Sequence, residues 1–129
     1  MIFNILVRGG AYDSAAGRSA IRFCQAALAS GHEIRQVFFY GAGVTQGNAL
    51  AETLSDEFNA NRAWESLAQD HDCSLVVCVS AAERRGVIGV DQAVEFGQDH
   101  HNLGTSFSVE GLGSFHAACL ESDRTVTFK

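Results

Sequence analysis

Four cysteines, Cys24, Cys73, Cys78 and Cys119, are the residues of this 129-residue chain best suited to covalent chemistry. Their spacing excludes the paired arrangements. No CxxC occurs, so neither a zinc ribbon nor a thioredoxin-type dithiol is expected. Cys73 and Cys78 are five positions apart; on an extended strand they would lie roughly 16 Å apart at ~3.3 Å per residue, whereas a disulfide needs Cα atoms within about 7 Å. Thiol chemistry here would use one cysteine, alone or with a partner protein. Cys78 is the candidate. It lies near the end of the apolar run Ser74 to Ser80, immediately before a turn at 81–86, and reactive groups in open α/β sheets gather at the carboxyl ends of strands. Sulfur exchange needs the thiolate. Free backbone amides at the start of a turn or helix favour an anion, and Arg84 and Arg85, the only adjacent basic pair in the chain, could curl back over the sulfur. The competing reading makes Cys78 a buried strand cysteine and the arginines a solvated pair. Cys24 and Cys119 fall on apolar helix stripes, where a free thiol acts as a small hydrophobe. Cys73 sits at the entry end of the strand.

Other motifs carry less. Gly41-Ala-Gly-Val-Thr-Gln-Gly47 contains GxG but has neither a Walker lysine nor the G-x-G-x-x-G register. His100 and His101 are adjacent, so their side chains diverge; His71 and His116 read as capping or surface residues. Trp64 and the run Phe38-Phe39-Tyr40 read as core, or in part as a subunit interface, where aromatics are enriched. No Ser-His-Asp set has recognisable context.

The elements that must position Cys78 follow from apolar patterning. Ile2 to Val7 reads as a buried strand, and Gly9 to Asp13 as the loop that ends it. Asp13 or Ser14 can cap a helix to about Ser30, with Ala20, Ile21, Cys24, Ala27 and Leu28 as its apolar stripe and Gly31 as its stop. Glu33 to Tyr40 is a second strand. A helix from about Asp56 to His71 places Ala60, Trp64, Leu67, Ala68 and His71 on one face, with Asp56 and Glu57 at its positive end. Ser74 to Ser80, apolar on both faces, is a strand of a parallel sheet covered on both sides. A short helix follows around Asp91 to Gln98, a fourth strand from Thr105 to Glu110, a helix from Gly111 to Ser122 carrying Leu112, Phe115, Ala118 and Cys119, and a fifth strand from Arg124 to Phe128. This alternation predicts a single α/β domain over 1–129: a mainly parallel five-stranded sheet with helices on both faces.

Composition bounds the function. Apolar residues make up 47% and charged residues 19%, as in an ordinary globular domain. The net charge of −6 argues against direct nucleic-acid binding, which needs a basic face. No apolar run approaches the ~20 residues that span a bilayer, and the first residues lack a signal-peptide pattern. A cytoplasmic protein with reduced thiols is the expectation. With no proline in the chain, glycine, Asn, Asp and Ser must build the turns.

Several segments together resemble the DsrE/TusD family of small sulfur-carrier proteins, in order and nearly end to end. They are Val37-Phe38-Phe39-Tyr40, Asn48 with Leu50, Asp56-Glu57-Phe58, Arg62-Ala63-Trp64, the run from Val77 to Val87, and Gly111-Leu112-Gly113. The most specific part is Cys78 followed by small residues and Arg84-Arg85-Gly86. The resemblance implies a sulfurtransferase that accepts a sulfane sulfur as a persulfide on Cys78. It implies a TusA-like donor, a TusE-like acceptor, and TusB- and TusC-like subunits in a heterohexamer with two copies of each. The sulfur would serve 2-thiolation of the tRNA wobble uridine, or, for a DsrE-like subunit, dissimilatory sulfur oxidation. Such a shuttle requires no metal, nucleotide or other cofactor, and no second cysteine in the chain. Two other readings stand beside it. A non-catalytic structural subunit would tolerate Cys78→Ser without loss of transfer, and a thiol redox sensor would form a stable sulfenate or disulfide after mild peroxide.

Overall fold

The computed structural model describes residues 1–129. Five strands, β1 (Ile2–Val7), β2 (Glu33–Phe39), β3 (Leu75–Cys78), β4 (Phe107–Glu110) and β5 (Arg124–Phe128), alternate with five helices. These are α1 (Ala16–Ala29), α2 (Ala60–His71), α3 (Val79–Arg84), α4 (Val90–Glu95) and α5 (Leu112–Leu120). All strand pairs are parallel, in the order β4-β3-β2-β1-β5. The expected single parallel sheet with helices on both faces is the architecture found.

The strand order dictates where the helices go. The connections from β1 to β4 all step in one direction across the sheet, and right-handed crossovers then place α1 and α2 on one face. The connection from β4 to β5 steps back over β3, β2 and β1, so α5 lies on the other face. Aromatic packing follows this division. Phe3 meets Phe23 of α1, and Phe39 meets Trp64 of α2, while Phe38 meets Phe115 of α5.

The α1/α2 face is sealed. Ile5, Val7, Val37, Phe39, Leu75 and Val77 point into it and are buried together with Trp64, Leu67 and Ile21. The indole Nε1 of Trp64 donates to Gln46 Oε1 at 3.1 Å, and Gln46 Nε2 donates to Gly9 O at 3.3 Å. The glycine-rich stretch 41–47 is a 3-10 turn packed over the ends of β1 and β2. At Gly43 a Cβ would lie 2.1 Å from Val7 O, so only glycine permits that approach. This segment is packing, with Gly43, Val44, Gln46 and Gly47 buried.

Several boundaries differ from the sequence expectation. α2 begins at Ala60, not Asp56, because the Asn59 side chain accepts from Arg62 N and caps it there. Ser14 Oγ accepts from Ala16 N, and α1 starts one residue later than a Ser14 cap alone would predict. The largest difference concerns the third strand. It ends at Cys78, and Val79 and Ser80 already belong to α3.

Candidate functional site

Cys78 is therefore both the last residue of β3 and the residue from which α3 departs. Its backbone is still extended (φ −64, ψ 125), and no side chain caps the helix behind it. The first-turn amides of α3 are left for solvent or for an anion. The Cys78 sulfur lies 3.7 Å from Ser80 Oγ. The residue is only 2% exposed. The thiol is thus seated at the carboxyl edge of the sheet rather than projecting from it.

The segment after Cys78 is held tightly. Ala81 and Ala82 are buried against the core. Gly86 adopts φ +67 and ends α3, where Val87 N donates back to Ala82 O. The Asn102 side chain pins the turn by donating to Gly86 O and accepting from Ile88 N. Arg84 and Arg85 are both exposed. Arg85 Nη1 donates to Ala81 O at 3.2 Å, and neither guanidinium hydrogen-bonds the Cys78 sulfur. The structure keeps the arginine pair on the same short helix as the thiol's amides without folding it over the sulfur.

A neighbour that sequence reading missed is Glu110. Cys78 pairs with Glu110 in the β3–β4 register, which puts the two Cα atoms about 5 Å apart with side chains leaving the same face. Glu110 is solvent-facing. Ser114 Oγ donates to Glu110 Oε2 at 2.7 Å and accepts from Gln36 Nε2 at 2.8 Å. Since β3 lies between β2 and β4, this chain of hydrogen bonds crosses over the strand that ends in Cys78. Only the strand register reveals it; Cys78 and Glu110 are thirty-two positions apart in sequence.

The remaining cysteines divide by face. Cys24 and Cys73 lie in the sealed layer, and burial pushes both thiols up to about 12; the neighbouring Cys73 and Asp72, respectively, add to the effect. Cys119, expected as a buried apolar residue, is half-exposed. Its sulfur accepts from Asn4 Nδ2 at 3.2 Å and Thr125 Oγ1 at 3.6 Å. Its helix stripe meets a partly polar sheet face. His71, His100, His101 and His116 are all exposed. No helix is long and apolar enough to cross a membrane.

Comparison with known proteins adds a family. The DsrE/DsrF-like family matches residues 1–128. A protein named sulfurtransferase TusD homolog from Vibrio parahaemolyticus is 44% identical over 128 residues, spanning 99% of this chain and 98% of that protein. A protein of the same name from Aliivibrio fischeri is 42% identical over 128 residues with the same coverage. Among solved structures, the ychN protein from E. coli superposes with a TM-score of 0.74 over 99% of both chains at 17% identity, a likeness of fold.

Proposed function

The chain belongs to the DsrE/DsrF-like family, and from that premise we propose that it is a TusD-type sulfurtransferase subunit using Cys78 as its persulfide carrier. The position of Cys78 carries the reading. Its residue ends an interior strand and begins a helix, its sulfur lies 3.7 Å from Ser80 Oγ in that helix's first turn, and the transfer needs no second thiol from its own chain. In the accepting step the Cys78 thiolate attacks the outer sulfur of a donor persulfide. The Cys78–S–SH bond forms, the donor S–S bond breaks, and the donor leaves as its thiolate. In the releasing step an acceptor thiolate attacks the outer sulfur on Cys78, and Cys78 leaves as the thiolate.

The donor is a TusA-like carrier and the acceptor a TusE-like protein, within a heterohexamer that includes TusB- and TusC-like subunits in a cytoplasmic relay. The end use is 2-thiolation of the tRNA wobble uridine; full-length identity with TusD homologs favours it over DsrE-like sulfur oxidation. The acidic chain leaves the tRNA to a later member of the relay. Arg84 and Arg85 support the anionic sulfur from the end of α3 when partners dock.

Intact-protein mass spectrometry tests this. After incubation with cysteine, a desulfurase and a charged TusA-type carrier, the protein with its co-purified subunits gains one sulfur mass. Dithiothreitol reverses the gain, and Cys78→Ser abolishes it. A gain that survives Cys78→Ser refutes Cys78 as the carrier. A complex that assembles but gains no sulfur is the structural subunit.

A further inference from the structure

Glu110 pairs with Cys78 across the sheet, and no feature of the persulfide reaction demands a carboxylate there. We infer that Glu110 is a specificity-determining residue that selects cationic over anionic sulfur partners at Cys78; this rests on Cys78 being the reactive thiol. Three observations carry it. Cys78 and Glu110 are register partners on adjacent strands, so the carboxylate belongs to the sulfur's nearest neighbour across the sheet. The carboxylate is tethered: Ser114 Oγ donates to its Oε2 at 2.7 Å and accepts from the amide of Gln36, buried in β2, at 2.8 Å. The opposing charges are less well placed. Arg85 is turned back onto Ala81 O, Arg84 makes no side-chain hydrogen bond, and both lie at the far end of α3.

A negative charge carried by the residue that pairs with Cys78 across the sheet acts on whatever approaches the sulfur. A unit charge at close range changes the rate of an encounter severalfold in a water-like medium and more where solvent is excluded. The partner that fits is a protein whose reactive cysteine is flanked by Lys or Arg. Its cation would meet Glu110 as the two sulfurs come into line. An acidic thiol would be turned away at the same point.

Three small symmetrical disulfides of graded charge test the inference without the natural partner: cystamine, 2-hydroxyethyl disulfide and dithiodiglycolate. Each reacts by the same balanced step. The Cys78 thiolate attacks one sulfur, a mixed disulfide forms, and the other half leaves as a thiolate. The rate at Cys78 is read by peptide mapping on the purified protein with any co-purifying subunits. Cystamine should react at least tenfold faster than dithiodiglycolate, with the neutral reagent between them. Glu110→Gln should shrink that ratio threefold or more, and Ser114→Ala, which frees the carboxylate, should shrink it by less. High salt should narrow the ratio in the parent and have little effect in Glu110→Gln. Neutralising Arg84 and Arg85 together should move the ratio less than Glu110→Gln does. An unchanged ratio in Glu110→Gln, or a larger change from the arginine pair, overturns the inference while leaving Cys78 reactive. Failure of all three reagents at Cys78 in the folded protein, with labelling restored in urea, overturns instead the reading of Cys78 as the reactive thiol, and the inference falls with it.

Discussion

The two faces of the sheet are built on different principles. The face under α1 and α2 is a hydrocarbon layer closed by Trp64, Phe39 and Phe107. The face under α5 carries Asn4, Gln36, Ser108, Glu110 and Thr125 among its residues, and α5 itself leaves Leu112 and Leu120 exposed. The cysteines sort the same way. Cys24 and Cys73 sit in the sealed layer as neutral thiols, while Cys78 and Cys119 belong to the α5 side. Burial by area does not separate them, since Cys24, Cys73 and Cys78 are 0%, 7% and 2% exposed. What separates them is what lies next to the sulfur. Desolvation in the apolar layer dominates at the first two, with Asp72 beside Cys73 adding to it; a helix start, a hydroxyl and a carboxylate-bearing strand neighbour lie next to Cys78. A protein that moves sulfur needs both kinds of face, one to hold the strand still and one on which polar groups can meet a partner.

The sharpest way to break this comparison is to cut each face in turn. Trp64→Ala empties a fully buried site and orphans Gln46 Oε1, and should cost about 3–5 kcal/mol in urea denaturation. Leu120→Ala on α5, where the side chain is 76% exposed, should cost less than about 0.5 kcal/mol in the isolated chain. Equal costs would mean that α5 packs as firmly as α2 and that the faces do not differ.

Alkaline pH probes the sealed layer by a different route. The Cys24 and Cys73 thiols titrate near 9.0 in the unfolded chain and at about 12 in the folded one. Below 9 both states hold the protons and stability is unaffected. Between 9 and 12 the unfolded chain releases protons that the folded chain retains, so stability falls as pH rises, by at most about 1.4 kcal/mol per pH unit per thiol. Cys24→Ala with Cys73→Ala should flatten that slope, whatever the new baseline stability. A slope unchanged by the double substitution would show that other groups cause the alkaline loss. The same contrast holds in labelling. A neutral alkylating reagent should modify half-exposed Cys119 at least tenfold faster than Cys24 or Cys73 in the native protein.

The sealed face was largely legible in the sequence, because period-2 and period-3.6 apolar patterns report burial directly. All five strands were found, and the stripe of α2 was read correctly except for His71, which lies exposed in its last turn. The start of α2 was misread because two acidic residues before a helix and an Asn that caps it give overlapping signals, and the hydrogen bond to Arg62 N decides for Asn59. The strand pattern of the third strand runs two residues past its carboxyl end, since Val79 and Ser80 fit a strand as well as a first helical turn. The other face was far less legible. The location of Cys78 at a strand end could be read from the apolar run. Its neighbour Glu110 could not, because nothing local to either residue encodes the β3–β4 register. Cys119 was assigned to a hydrophobic stripe on spacing alone, and spacing does not say that the opposing sheet residue is Asn4.

The smallest expected effect discriminates best between a polar face kept for stability and one kept for chemistry. Asn4 and Gln36 are register partners on β1 and β2. Each donates through its amide nitrogen, and each has a buried carbonyl oxygen without a partner. An unpartnered buried carbonyl costs about as much as one hydrogen bond returns, roughly 1 kcal/mol each way. Asn4→Leu and Gln36→Leu should therefore each leave stability within about 1 kcal/mol of the parent by urea denaturation. Val37→Thr, which brings a hydroxyl into the sealed layer one residue away, should cost clearly more, about 1–3 kcal/mol. A loss above about 2 kcal/mol in either Leu variant would mean that the oxygens are satisfied in solution and the polar face is structural. Near-neutral stability removes folding as the reason for those amides. Gln36→Leu then carries a further consequence, because it releases Ser114 and through it the Glu110 carboxylate. A variant that folds as well as the parent but discriminates less between charged disulfides at Cys78 would trace the polar face to the sulfur site.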